Sequence, residues 1–386
     1  MTLDKKFFFK TFIIFLVSFT FFLGYFLREN AVGGGLEFFK LSWPIIQSFK
    51  KDFLHTIYNY ATPPLRDGTL PFSHIINAYI NPFSNDVASF QLSVTIVSFI
   101  IFLIFAFVLK RKFSEISHID ILLIASVFLI LPFFRTSAFW GKNENYGWVF
   151  FIVALYFFYE IKKNISSHPN KKDMINVALF CFTSACALYA RQALVFLPIS
   201  YLLYLFFYKA DKRIITLSLA LYALLAIPGI ILILIWRDVY DPQNVFLPIS
   251  FRGDWLHPKY ILFNIPILLS FFGFYLLPIL IVEFFNSKFI DFFKKYSKSF
   301  IISFIFFLVL WQLNILNYLG NYVLGGGAIL KLNYLIEKNN FLLLLIFSSI
   351  GFSILFQFFK KYAKNNIIFL MPIFIIYGFT HILYQE

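Results

Sequence analysis

Charge is what this chain has least of: 13% of its 386 residues are Asp, Glu, Lys or Arg, against 60% that are hydrophobic. So few charged side chains cannot clothe a water-soluble domain, and no stretch of the chain reads as one. Cysteine is nearly absent. Cys181 and Cys186 lie five apart in one apolar run, on different helix faces, and have neither disulfide nor metal spacing, so they read as core thiols. Period-two alternation is missing too, which argues against a barrel and leaves helices as the way to span a bilayer. No His/Cys/carboxylate cluster stands at a ligand spacing, so neither metal nor cofactor is expected. The "GGG" runs at 33–35 and 325–327 neither follow a strand nor precede Lys-Ser/Thr, so they read as loop hinges rather than phosphate cradles.

What is present is apolar run after apolar run. A hydrocarbon core about 30 Å thick takes roughly 20 residues of helix, fewer where a span stops in a protein-lined cavity. Eleven segments qualify: 11–27, 88–109, 119–134, 145–159, 174–190, 193–208, 214–236, 260–285, 300–316, 341–359 and 367–384. The first follows "MTLDKKFFFK" and lacks an A-x-A cleavage site, so it reads as an anchor rather than a signal peptide. The expectation is an all-α polytopic integral membrane protein with about 11 transmembrane helices, one membrane domain over 1–386, multi-pass in a bacterial inner membrane or its equivalent. The 58 phenylalanines, with abundant Ile, Lys and Asn, reflect coding bias more than aromatic chemistry.

Basic residues cluster in alternate short connections, such as Lys110–Lys112, Lys209–Arg213 and Lys360–Lys364. Retention of Lys and Arg on the cytoplasmic side then places the N-terminus inside and the C-terminus outside. The net charge of +14 accordingly reads as topology and attraction to membrane lipid, not nucleic-acid binding. Three longer, chemically mixed loops, 28–87, 237–259 and 317–340, fall outside, with tight turns near 135–144 and 190–192. Function is sought there.

In the long first extracytoplasmic loop, Leu36, Phe39, Trp43, Ile46 and Phe49 recur at helical spacing as an amphipathic face, which Pro44 would break or kink. Thr62, Pro63 and Pro64 follow in "TPPL", a stiff stretch suited to holding polar groups in place. "YARQALVF" sets Arg191 and Gln192 between two slightly short spans. The cation should therefore line a recessed wet cavity, the alternative being a guanidinium that snorkels to the interface. "RGDWLHPKY" gathers Arg252, Asp254, His257 and Lys259 just before a span, and reads otherwise as an ordinary polar boundary.

The ordered set "LEFFK" (36–40), "TPPL" (62–65), "ARQAL" (190–194) and "GDWLH" (253–257) resembles the GT-C glycosyltransferases. It is most similar to the dolichyl-phosphate-glucose-dependent alpha-1,2-glucosyltransferase family. Leu36 stands where that family has the first acid of a pair, and Ala193 and Leu194 replace the polar half of its arginine motif; the chain also ends directly after its last span, which looks like a shortened C-terminus. The resemblance implies a GT-C-like fold and an inverting hexosyltransferase. Such an enzyme moves a sugar, glucose favoured, from a polyprenyl-phosphate-linked donor to a glycan or lipid-linked acceptor on the extracytoplasmic side. A carboxylate then takes the acceptor proton, with Glu37 first and Asp52 and Asp67 as rivals. The departing phosphate calls for cations: Arg191, Arg252 and Lys259, with Arg135, Lys142 and His257 behind them. Competing readings are another GT-C enzyme, such as a mannosyl- or arabinosyltransferase, a transporter or flippase, and a non-catalytic scaffold. A transporter would show paired broken helices or an internal repeat, and neither is found.

Overall fold

In the computed structural model the described residues are 3–30, 34–62, 65, 69–164, 169–236, 266, 269–270, 272–312 and 342–372. Pro63, Pro64, Asp67, Arg252, Asp254, His257 and Lys259, like the loops 237–259 and 317–340, lie outside them. Most of the described residues are helical, and no strand is found among them. In chain order the helices are α1 Leu3–Phe26, α2 Gly34–Glu37, α3 Trp43–Lys51, α4 Phe53–Asn59, α5 Phe72–Ile75, α6 Val87–Lys112, α7 His118–Ala125, α8 Val127–Ile130, α9 Pro132–Trp140, α10 Asn143–Asn164, α11 Lys171–Ala190, α12 Phe196–Phe207, α13 Lys212–Trp236, α14 Leu277–Asn286, α15 Phe289–Gln312 and α16 Leu342–Pro372. Among the described residues, four helices are long and apolar enough to cross a membrane: Lys5–Phe26, Val87–Lys112, Lys171–Ala190 and Lys212–Trp236. A broken pair, His118–Ile130 and Phe134–Trp140, would make a fifth if it is one span.

Contacts divide the chain into two compact units: Met1–Val32, Phe113–Thr136 and Arg252–Ile367 form one, and Gly33–Lys112, Ser137–Phe251 and Ile368–Glu386 the other. The second unit is built on α10 and α11. α11 starts from a reciprocal capping box: Asn170 accepts from the Asp173 N–H at 3.0 Å, and Asp173 accepts from the Asn170 N–H at 3.0 Å. Small residues (Cys181, Ser184, Ala187) are fully buried along it, so neighbouring helices come close where lipid supplies no hydrophobic drive. The aromatic core follows: Phe180 lies 4.1 Å from Tyr201, and Phe158 meets Tyr204 edge-on at 5.0 Å. Cys181 and Cys186 are free, buried thiols, as their spacing predicts.

The amphipathic stretch after residue 33 departs from expectation. Gly34 and Gly35 are not a hinge: they open α2, and the helix then widens into a π stretch at Phe38–Ser42 before α3. Pro44 explains the widening. It cannot donate to the residue-40 carbonyl, and the chain compensates with a longer bond from the Trp43 N–H to the Phe38 oxygen. The helix therefore continues through Pro44 instead of breaking. The added residue turns the apolar stripe by roughly 100°, so Leu36 and Phe39 are exposed while Phe38, Ile45, Ile46 and Phe49 are buried. Phe38 stacks on Phe90 at 5.7 Å and packs against Trp140 at 5.9 Å, seating the stretch on α6 and α9.

In the first unit, α1, α7 and α14 meet around buried charges. Lys10 and Asp120 pair at 2.6 Å with side chains 7% and 6% exposed, and Asn286 donates to the same carboxylate at 3.1 Å. α16 meets Leu269 and Gly273 at backbone distance: a Cβ on Gly351 would sit 1.9 Å from the Leu269 oxygen, and one on Gly273 would sit 1.9 Å from that of Phe347. α16 also runs unbroken through Lys360, Lys361 and Lys364, where a connection between two spans is expected. Lysine is a good helix former, and no proline interrupts the helix before Pro372.

Candidate functional site at the head of α10

Gly141 and Lys142 make the turn between α9 and α10. Gly141 has φ +59°, a left-handed conformation natural to glycine, and a Cβ there would stand 2.6 Å from the Phe90 ring. The turn projects Lys142 toward α2, where its ammonium pairs with Glu37 at 2.5 Å. Two residues on, Glu144 occupies the first turn of α10, where the helix dipole favours a carboxylate. Its Oε1 lies 3.4 Å from Arg191 Nη1, and Ser137 Oγ donates to its Oε2 at 3.3 Å. Arg191 is the extended C-cap of α11 (φ −149°), and Gln192 begins the 3-10 turn that leads into α12. The two apolar runs thus break at Arg191, where the sequence places the break.

Two carboxylate–cation pairs therefore stand side by side on the chain. They are partly open: side-chain exposure is 48% for Glu37, 36% for Arg191, 29% for Glu144 and 15% for Lys142. Around them lies neutral polar chemistry. Asn143 Nδ2 donates to Thr69 Oγ1 at 2.5 Å, the Tyr146 hydroxyl donates to Asn77 Oδ1, and Asn145 Nδ2 donates to Ser98 Oγ. Val94, Val97, Ser98, Gly141, Lys142, Asn145 and Tyr146 line a small recess with room for about one water molecule. Among the described residues no group of His, Cys, Asp and Glu is arranged to hold a metal ion.

The other predicted residues divide cleanly. Asp52 caps α4, its carboxylate accepting from the His55 N–H at 2.9 Å, a structural duty for a residue proposed as a base. Arg135 belongs to the first unit, where Nε and Nη2 bind Glu29 at 2.9 and 2.6 Å while the Thr20 and Leu129 carbonyls take further donors. Thr62 Oγ1 donates to the Asn59 oxygen at 2.8 Å, and the Leu65 N–H closes on the Thr62 oxygen at 2.9 Å. Glu144 is the residue that sequence reading missed. An acidic side chain two residues past a Gly-Lys turn, just ahead of an apolar run, was its signal.

Comparison with protein-family models, curated proteins and solved structures finds no match to this chain.

Proposed function

We propose that this protein is a polytopic membrane glycosyltransferase that takes a hexose, glucose favoured, from a polyprenyl-phosphate donor at the head of α10. The proposal includes a GT-C-like frame of about eleven spans and an extracytoplasmic site. The observation that carries it is the pair of half-open ion pairs, Glu37–Lys142 and Glu144–Arg191. Exposed ion pairs are weak, on the order of 0–1 kcal/mol, so each cation can exchange its carboxylate for a phosphate at little cost. A phosphate at the head of α10 also gains from the helix dipole.

The exchange supplies both halves of the chemistry. As Lys142 turns to the phosphate, Glu37 is released beside it as a base. The acceptor hydroxyl loses its proton to Glu37 while its oxygen bonds to the anomeric carbon; the bond from that carbon to the phosphate breaks, and polyprenyl phosphate leaves with the electron pair, inverting the centre. Arg191, positioned by Glu144, stabilises the departing charge.

Reconstitution in liposomes containing polyprenyl-phosphate glucose, with release of lipid phosphate as the readout, tests this. Glu37→Gln is expected to lower turnover by about 10²-fold or more, and Glu144→Gln by less. Release that persists unchanged in the double variant sinks the site, and solute counterflow without any transfer would favour a transporter.

A further inference from the structure

α13 is a 25-residue helix with Pro228 inside it and, over its best membrane-spanning window, 6% burial. Proline has no N–H, so the Leu224 carbonyl loses its normal partner. The next rung is rerouted as well: the Gly229 N–H donates to the Tyr189 hydroxyl at 2.9 Å, and that hydroxyl donates to the Leu225 oxygen at 2.7 Å. A side chain from α11 is thus inserted into the backbone ladder of α13, one of the few causes of a sharp bend in a helix. Within a bilayer no water is available to satisfy freed backbone groups, so the tyrosine does what solvent does elsewhere. Gly229 permits it, because a Cβ there would lie 3.0 Å from the Tyr189 oxygen.

The two sides of this joint are held differently. Below it, Ile214 and Ser218 are buried and Tyr222 shares a 2.8 Å hydroxyl bond with Ser184 of α11. Above it, Ile230, Ile231 and Leu234 are exposed while Trp236 is buried. Trp236 makes two contacts with the α4 region: its indole N–H donates to the Ile57 oxygen at 2.7 Å, and its ring stacks on Tyr60 at 5.6 Å and 17°. A short segment, jointed at one end and tied at the other, among the described residues, through the Trp236 side chain, has the construction of a latched lever.

We infer that residues 230–236 form a lever that turns about Pro228–Gly229, with Tyr189 as its pin and Trp236 as its latch on α4. Unlatching moves the top of α13 away from the Ile57–Tyr60 stretch and uncovers the side of α4, while the Tyr189 bonds keep the joint satisfied in both positions. The inference is independent of the glycosyltransferase reading, since it rests on α13, α11 and α4 alone.

The test is a spin-label distance measurement on the full chain in lipid nanodiscs. Labels go on the exposed positions Leu54 and Ile231, in a background where Cys181 and Cys186 are replaced by alanine. The parent should show a main short distance and a minor longer one. Trp236→Phe, which keeps a ring and removes the N–H, should raise the longer population about fivefold, as loss of one hydrogen bond implies. Pro228→Ala restores a rung and, combined with Trp236→Phe, should return the distribution to a single short distance. Tyr189→Phe should broaden both populations without unfolding α11. An unchanged distribution in Trp236→Phe overturns the latch, and a longer population that survives Pro228→Ala overturns the joint.

Discussion

Two sets of charges, one in each unit, show opposite solutions to keeping ions in a largely apolar chain. Around Lys10 and Asp120 the pair is buried to within 7% exposure, and neutral donors from Asn286 and Ser117 complete the carboxylate. Arg135 is treated alike, 11% exposed and bonded to one carboxylate and two carbonyls. At the head of α10 each cation has, among the described residues, one carboxylate, and partial access to solvent. The first arrangement is costly to break from one side and offers nothing to a ligand. The second is worth little to the fold and leaves its groups available. Burial, more than residue type, separates scaffold from site, and the same Glu and Lys side chains serve in both.

The largest expected effect breaks the scaffold side of that comparison. Lys10→Met leaves Asp120 buried without a cation and is expected to cost about 3–5 kcal/mol, read as a shifted unfolding midpoint in SDS-bicelle titrations. The double variant Lys10→Met with Asp120→Leu should recover most of it, because apolar groups of similar volume need no partner. Failure of the double variant to recover would mean that the pair specifies the helix arrangement as well as stabilising it.

A smaller effect marks the site side. Glu37→Gln and Glu144→Gln should each change the same midpoint by less than about 0.5 kcal/mol, even where turnover falls steeply. A stability loss as large as that of Lys10→Met would move both residues to the scaffold class.

The smallest effect belongs to Asp86, an exposed carboxylate that accepts from the Ser89 N–H at 2.9 Å just ahead of α6. Backbone and hydroxyl bonds from Ser89 hold its pKa below the ordinary carboxylate value. Its contribution is therefore present above the unfolded value and lost as pH falls through the lowered folded one. Amide exchange at Ser89, corrected for intrinsic rate, should accelerate below about pH 4. Asp86→Asn, which keeps an acceptor and cannot titrate, should show no such step.

Much of the frame was legible. The apolar runs at 11–27, 88–109, 174–190 and 214–236 are the four helices long and apolar enough to span, because continuous apolarity over about 20 residues has few other uses. The break at Arg191 was legible for the same reason: a cation and an amide in an apolar run need a helix end. The face of the 34–51 stretch was not. Its stripe was counted at 3.6 residues per turn, and the π stretch that accommodates Pro44 put Phe38 inside and Leu36 outside. Nor could sequence distinguish Arg135, held by Glu29 and by the Thr20 and Leu129 carbonyls, from Lys142, which pairs with Glu37; both are cations near span ends.

Composition and the length of its apolar runs alone determined that this chain is helical and built for a bilayer, since an unpaired backbone group has no partner there. Which carboxylate meets which cation, and how deeply, was decided only by the tertiary structure. Glu37 and Lys142 are 105 positions apart along the chain, and Glu144 and Arg191 come from different helices, so each pairing depends on how helices pack rather than on any local pattern.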